Sequence, residues 1–163
     1  MAEIEAGIAV QQLLSVLREA AEGPLGSWTY FIDKKPDAGL LGALATVSAE
    51  QASRVWGDTS IAAHAHHIAF AMAASAAAIE GDQTPVDWKE SWRVGSVDET
   101  AWKELVARVG REYQRLHGAV DARASSSGEA FGEAVGSIAH VAYHLGAIRQ
   151  KVVSLRASDA KRR

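Results

Sequence analysis

Four long segments of this chain place their apolar residues at the spacing of an α-helix, and residues that start or stop helices separate them. The first segment runs from about Ile4 to Glu22 and is followed by Gly23-Pro24, which ends a helix. No segment of comparable length alternates with the period of a β-strand. The pattern therefore predicts an all-α fold.

Capping signals delimit the other three long helices. The second is an alanine-rich segment predicted over 58–80, with Gly81 as its stop. A capping box at Ser96–Glu99 opens the third, and a similar signal at Ser126–Glu129 opens the fourth, which is predicted to end near Arg156. Four helices of about 20 residues, each about 30 Å long, match the dimensions of a four-helix bundle.

The connection between the first two long helices contains further elements. Two short helices are predicted from Leu40 onward, and the second is opened by a capping box of Ser48 and Gln51 and ends near Gly57. The aromatic residues within Trp28–Phe31 are expected to pack against the rest of the protein.

Length and charge limit the organisation of the chain and its partners. Its 163 residues, 48% of them apolar, suit a single domain, predicted over residues 1–156, with a frayed tail over 157–163. The only basic cluster is Lys161–Arg163, and the formal net charge is −3. Such a chain creates no positive field to attract a phosphate backbone, so no nucleic-acid partner is predicted.

The chain contains no cysteine, so disulfides, thiolate ligands and cysteine nucleophiles are excluded, and any soft-metal site has to be built from histidine. The beginning, Met1-Ala2-Glu3-Ile4-Glu5, is acidic where a secretory signal is basic, and no apolar run approaches the length of a bilayer span. These features predict a cytoplasmic protein without a membrane partner.

Most of the histidines fall in two of the predicted helices: His64, His66 and His67 in the second, and His140 and His144 in the fourth. Residues four apart are separated by about 40° around a helix, so His140 and His144 project from one face and can converge on one ion. The sequence around them is nearly uncharged, and an unpartnered imidazole there costs about 1–3 kcal/mol. A shared cation would remove that cost.

A third ligand has to come from the second helix, whose histidines point in different directions. His67 is preferred, because the apolar residues after it place this segment in the interior. His64, one turn earlier, is the alternative ligand, or else supports the ligands or lines the pocket mouth. His66 is expected on the flank of the helix and His117 at the surface. Three imidazoles suit Zn, Ni, Fe or Mn and leave positions open for water or a small-molecule substrate.

The two histidine-bearing segments, Ser60–Ile68 and His140–Gln150, resemble those of the DinB-like (YfiT-like) superfamily of metal-dependent hydrolases. The resemblance covers nearly the whole chain and implies a four-helix bundle with up-down-down-up connectivity. It also implies a divalent metal ion, nickel or zinc, held near one end of the bundle by His67, His140 and His144. Members of this superfamily also resemble S-transferases that act with mycothiol, bacillithiol or glutathione.

Two classes of function follow from this pattern. The first is a metal-dependent hydrolase or thiol-dependent S-transferase, which acts on a small molecule or with a low-molecular-weight thiol through open coordination positions. The second is a non-enzymatic stress-response or partner-binding protein with a structural metal. A homodimer through an exposed helix face fits either class.

Other side chains are weaker candidates. Glu133 shares a side of its helix with His140 and could act as a base, but the helix macrodipole alone favours a glutamate so near a helix start. Trp88 and Trp92 are expected in a loop or single helical turn, at the pocket mouth or in the core. Ser125–Ser127 are predicted to cap a helix rather than to supply a nucleophile.

Overall fold

The computed structural model describes residues 5–161, so the predicted helix start at Ile4, the acidic beginning of the chain, and Arg162 and Arg163 of the predicted tail lie outside the described residues. The described part is mostly helical, which is compatible with the predicted all-α class. Its elements are α1 (Ala6–Glu22), α2 (Leu40–Ala45), α3 (Ala49–Ser53), β1 (Val55–Trp56), β2 (Thr59–Ser60), α4 (Ile61–Glu80), a 3-10 helix (Trp88–Trp92), α5 (Glu99–Arg123) and α6 (Gly128–Ala160).

Capping residues fix the ends of α3 and α4 as predicted. Ser48 and Gln51 form a reciprocal capping box at the start of α3. The Ser60 hydroxyl accepts a hydrogen bond from a backbone N–H of the first turn of α4 at 3.0 Å. Gly81 ends α4 in the left-handed conformation, with φ at 96°, which favours glycine.

The starts of α5 and α6 are also capped, with one shift from the prediction. Asp98 caps α5, so the box predicted at Ser96–Glu99 begins too early. Ser127 caps α6 as predicted. α6 continues to Ala160, past the predicted end near Arg156.

α4 and α5 run in the same direction. The Ser60 hydroxyl, at the start of α4, donates a hydrogen bond to the Gly95 carbonyl before α5 at 2.6 Å. Glu80, at the end of α4, forms an ion pair with Arg115 well along α5 at 2.6 Å. The chain therefore returns along the length of α4 through residues 82–98, which include the 3-10 helix.

α6 runs antiparallel to α4. Lys151, late in α6, contacts the Thr59 carbonyl just before α4 at 3.0 Å. Ser75, late in α4, donates a hydrogen bond to Glu133, early in α6, at 2.7 Å. The two helices therefore face each other along most of α4.

α1 runs antiparallel to α5. Gln11 donates a hydrogen bond to Asp121, near the end of α5, at 3.3 Å, and Glu22 accepts one from Tyr113 at 2.6 Å. α1 also packs against α6. Each long helix therefore packs against at least two others.

The core lies between the four long helices and is closed on one side by α2 and α3. Its largest fully buried side chains are Leu17, Leu40, Leu44, Ile61, Ile68, Met72, Val109, Tyr113, Leu116, Val120, Leu145 and Ile148. The alanines of α4 let its neighbours approach its backbone closely. No helix in residues 5–161 is long and apolar enough to cross a membrane.

A two-stranded hairpin that the sequence analysis did not predict connects α3 to α4. α3 ends at Ser53 rather than near Gly57, and Val55 and Trp56 then pair antiparallel with β2. β-branched and aromatic side chains favour a strand, and Gly57 turns the chain with φ at 73°. Each strand has only two residues, which is too short for the alternation of apolar and polar side chains to be recognised in the sequence.

The aromatic residues of the first connection do not pack as predicted. Trp28, Tyr30 and Phe31 are 65%, 46% and 46% exposed. Their backbone is nevertheless fixed, because the buried Glu19 carboxylate accepts hydrogen bonds from the N–H groups of Tyr30, Phe31 and Ile32 at 2.7, 2.9 and 3.3 Å. The loop is ordered mainly through its backbone, and its large side chains stay partly exposed, although the Tyr30 hydroxyl donates a hydrogen bond to Gln12 of α1 at 2.9 Å.

Candidate metal centre

The antiparallel packing of α4 against α6 brings three histidines together. His67 projects from α4, while His140 and His144 project from one face of α6. One nitrogen of each lies within 4.8 Å of the other two. The Nε2 atom of His140 lies 3.1 Å from that of His67 and 2.9 Å from that of His144. This group has the geometry to hold a metal ion.

The spacing of the Nε2 atoms fits metal coordination better than hydrogen bonding. Two nitrogens bonded to one ion at about 2.0–2.1 Å lie about 2.9 Å apart at a right angle and about 3.4 Å apart at the tetrahedral angle. The separations of 3.1 and 2.9 Å lie in that range. An imidazole Nε2 offers one proton or one lone pair, so His140 cannot form a linear hydrogen bond with both neighbours. A cation among the three satisfies all of them.

Burial keeps these imidazoles neutral. Burial is the larger cause and the positive charge that neighbouring histidines would carry is the smaller one; together they lower the pKa of His144 to about 3 and that of His67 to about 4. Burial also lowers the pKa of His140. Near pH 7 each ring is therefore neutral and has one unprotonated nitrogen, which is the form that binds metals.

The 3-10 helix holds His67 from two sides. The Ser91 hydroxyl oxygen lies 2.8 Å from His67 Nδ1. The Trp92 ring stacks on the imidazole with centroids 4.0 Å apart and planes 18° apart. Trp92 also lines the cavity at the site, whereas Trp88 is not among the cavity-lining residues and packs edge-on against Phe70. The expectation of a tryptophan at the pocket is confirmed for Trp92.

His64 supports the group from behind rather than joining it. Its Nδ1 lies 2.9 Å from Nδ1 of His144, the nitrogen on the far side of that ring from the group. Its Nε2 lies 2.9 Å from the Thr59 hydroxyl. Of the two roles open to His64 from the sequence, these contacts favour support of the ligands, at the edge of the cavity.

The remaining candidates lie apart from the group. His66 is buried rather than on the flank, and its Nδ1–H donates a hydrogen bond to the Ser91 carbonyl at 2.9 Å. His117 is half-buried on α5 beside Tyr113. Glu133 is exposed and accepts a hydrogen bond from Ser75.

A cavity of about 790 Å³ opens beside the histidines. His67 and His144 line it, so two of the three candidate ligands border open space. Its other walls are mostly aromatic or polar, and they include Trp56, Asp58, Thr59, Trp92, Tyr143 and Gln150. A small molecule that enters this space would contact His67 and His144 of the histidine group.

Lys151 closes one side of the cavity by holding the hairpin. Its ammonium group donates hydrogen bonds to the carbonyls of Trp56 and Thr59 at 2.5 and 3.0 Å. Burial lowers its pKa.

The sequence analysis missed both Lys151 and Ser91. Lys151 lies three residues after Ile148 and four before Leu155, on the apolar face of the fourth helix, which was a usable signal. The residues around Ser91 gave no such signal.

No family model matches the chain, and searches of curated proteins and of solved structures return no match. The DinB-like resemblance therefore stays a prediction. Function has to be inferred from the histidine group and its cavity.

Proposed function

We propose that this protein is a metal-dependent enzyme of the DinB-like (YfiT-like) class. His67, His140 and His144 bind one divalent ion, nickel or zinc, with iron and manganese as alternatives. The substrate is a small molecule that enters the adjoining cavity. The reaction is hydrolysis or the transfer of a group to a low-molecular-weight thiol.

The observation that carries this proposal is the open side of the histidine group. Structural zinc sites are closed by four protein ligands, whereas catalytic sites keep a position for water or substrate. Here three imidazoles converge, and His67 and His144 border a cavity of about 790 Å³. An ion bound only to brace the helices would need no such access.

The helix directions support the bundle that belongs to this class. α4 and α5 run in the same direction, and α1 and α6 run opposite to them. In chain order this is the up-down-down-up connectivity, with α2, α3 and the hairpin in the first connection. We propose that α1, α4, α5 and α6 form a four-helix bundle of this type.

The chain's own residues would bind and orient a substrate in the cavity. When bound, the metal supplies Lewis acidity at its open positions. Trp56, Trp92 and Tyr143 form apolar walls that displace water from a bound molecule. Asp58 contributes a carboxylate and Gln150 an amide to the lining, and both can hydrogen-bond a polar part of the substrate.

The alternative is a non-enzymatic protein that carries a structural metal. Titration of cobalt-substituted protein with a thiol and, separately, with acetate distinguishes the two. An open site predicts that at least one of them changes the visible spectrum, and that His67→Ala abolishes the change. A spectrum that neither changes would contradict the enzymatic proposal. A parallel screen of ester, amide and thiol-transfer substrates, with and without chelator, then identifies the reaction.

The remaining sequence predictions concern assembly and location. The predicted homodimer is tested by light scattering, which measures the mass of the metal-loaded protein in solution. Cytoplasmic residence is measured by cell fractionation.

A further inference from the structure

Ser91 occupies a special place in the 3-10 helix between α4 and α5. It is fully buried, with 0% of its surface exposed. Its hydroxyl oxygen contacts His67 at 2.8 Å and its carbonyl contacts His66 at 2.9 Å. Ser91, in the segment 82–98 that connects α4 to α5, therefore contacts two histidines at adjacent positions of α4.

The hydrogen bonds of Ser91 determine which atom donates to which. The hydroxyl donates its single proton to the Trp88 carbonyl at 2.7 Å. A carbonyl oxygen can only accept, so that proton is committed. The contact between the Ser91 oxygen and His67 Nδ1 therefore requires the proton to be on the histidine. His67 Nδ1–H donates and the Ser91 oxygen accepts.

This direction fixes the tautomer of His67. A neutral imidazole carries one proton, and the two ring nitrogens share the roles of donor and acceptor. With the proton on Nδ1, the lone pair of His67 lies on Nε2. That is the atom 3.1 Å from Nε2 of His140, inside the histidine group.

The position of the ring is fixed by the same segment. Trp92, the next residue, stacks on the face of His67, while Ser91 holds its edge. The bond from His66 to the Ser91 carbonyl ties the segment to α4 at a second point. The orientation of the ring and the site of its proton thus depend on one short helix outside α4 and α6.

We infer that Ser91 is a positioning residue that holds His67 in the Nδ1–H tautomer and so directs its Nε2 lone pair to the metal. The inference rests on the proposed metal site for its consequence, although the tautomer itself can be observed without metal. Partners of this kind raise the affinity of a site for metal by about 10–100-fold.

The tautomer is measured first in the unaltered, metal-free protein. Long-range ¹H–¹⁵N correlation spectra near pH 7.5, where a buried histidine is neutral, distinguish a protonated ring nitrogen from an unprotonated one. The expected result is a proton on Nδ1 of His67, with the resonance assigned by its loss in His67→Ala. A proton on Nε2 would overturn the inference, and so would an even mixture of tautomers.

The variant Ser91→Ala tests whether Ser91 determines the tautomer of His67. We expect the Nδ1 preference of His67 to be lost and the affinity for Zn²⁺, measured by competition with a chromophoric chelator, to fall about 10–100-fold. Ser137→Ala is the matched control, because Ser137 is a buried serine on α6 whose hydroxyl donates to the Ala134 carbonyl at 2.9 Å. It should keep both the tautomer and the affinity.

The possible results separate the inference from the proposed function. If Ser91→Ala keeps the tautomer and affinity of the control, Ser91 only stabilises the fold and the inference is wrong. If no metal binds to any variant while the tautomer changes as expected, the proposed function fails and the positioning role of Ser91 stands. If Ser91→Ala does not fold, the spectrum of the unaltered protein decides.

Discussion

Two of the polar contacts between α4 and α6 differ in kind. At one, the Ser75 hydroxyl donates a hydrogen bond to the Glu133 carboxylate at 2.7 Å. At the other, the Nε2 atoms of three histidines face one another at 2.9 and 3.1 Å. The first contact is a complete donor–acceptor pair, whereas hydrogen bonds alone cannot satisfy the second, because His140 Nε2 faces two other nitrogens and can pair with only one of them. Polar contact between helices does not by itself mark a site; a cluster of nitrogens that hydrogen bonds alone cannot satisfy does.

The largest expected difference between the two contacts is in metal content. His140→Ala and His144→Ala should lose nearly all bound metal, because each removes a ligand that the others cannot replace. Ser75→Ala should retain it. Elemental analysis of the purified variants measures both. The proposed site would be wrong if near-stoichiometric metal remained in all three of His67→Ala, His140→Ala and His144→Ala. The ion would then lie elsewhere, and the two contacts would not differ in metal binding.

The contacts should also differ in their response to acid. His144 and His67 have pKa values of about 3 and about 4 when folded, below the value of about 6.5 expected when unfolded. Below pH 6.5 the unfolded chain therefore binds protons that the folded chain does not. Metal-free protein should lose stability as the pH falls from about 6.5 toward 4, by at most about 1.4 kcal/mol per pH unit for each histidine.

Denaturant unfolding at a series of pH values measures this loss. A variant with His67 and His144 both replaced by glutamine should show a shallower decline over the same range, while Ser75→Ala should follow the unaltered protein. Equal slopes in all three would show that other groups govern acid unfolding.

A smaller effect on metal binding is expected when His64 is replaced. His64 contacts the outer nitrogen of His144 rather than the group itself, so His64→Ala should weaken Zn²⁺ binding about 10–100-fold without abolishing it. A chelator competition assay measures the affinity. Complete loss of metal would instead make His64 a ligand, which is the alternative left open by the sequence.

The smallest effect is expected when the hydrogen bond between Ser75 and Glu133 is removed. Ser75→Ala removes one uncharged donor and leaves an exposed carboxylate that water can satisfy, so it should lower the free energy of unfolding by about 0.5–1.5 kcal/mol. Thermal or denaturant unfolding measures this change. A larger loss, or any loss of metal, would mean that the two contacts are coupled.

The features that could be predicted from the sequence are those that depend on interactions between residues close together in the chain. Capping by Ser48, Ser60 and Ser127 and the stop at Gly81 follow from the hydrogen-bonding needs of helix ends, which lie within a few residues. The convergence of His140 and His144 follows from helical geometry alone. Those parts of the fold and of the site could be predicted before the structure was known.

Features that depend on contacts between distant segments could not be predicted. Ser91 meets His67 only because residues 82–98 return along α4, and nothing near Ser91 signals that partner. The exposure of Trp28 depends on a neighbouring backbone held by Glu19, which reads in the sequence as an ordinary helical glutamate. The apolar residues after His67 favoured it over His64 in the sequence, but which of the two faces His140 and His144 depends on the register of α4 against α6.

The parallel course of α4 and α5 has a consequence for how such a protein can diverge. Helices that run the same way need a long crossing between them, and in this chain the crossing delivers Ser91 and Trp92 to the histidines. The three histidines thus lie on two long packed helices, while part of the cavity wall beside them lies on the segment 82–98 that connects α4 to α5. Duplicated copies, or a protein engineer, can alter that segment and so the cavity wall, while α4 and α6 keep the three histidines in place.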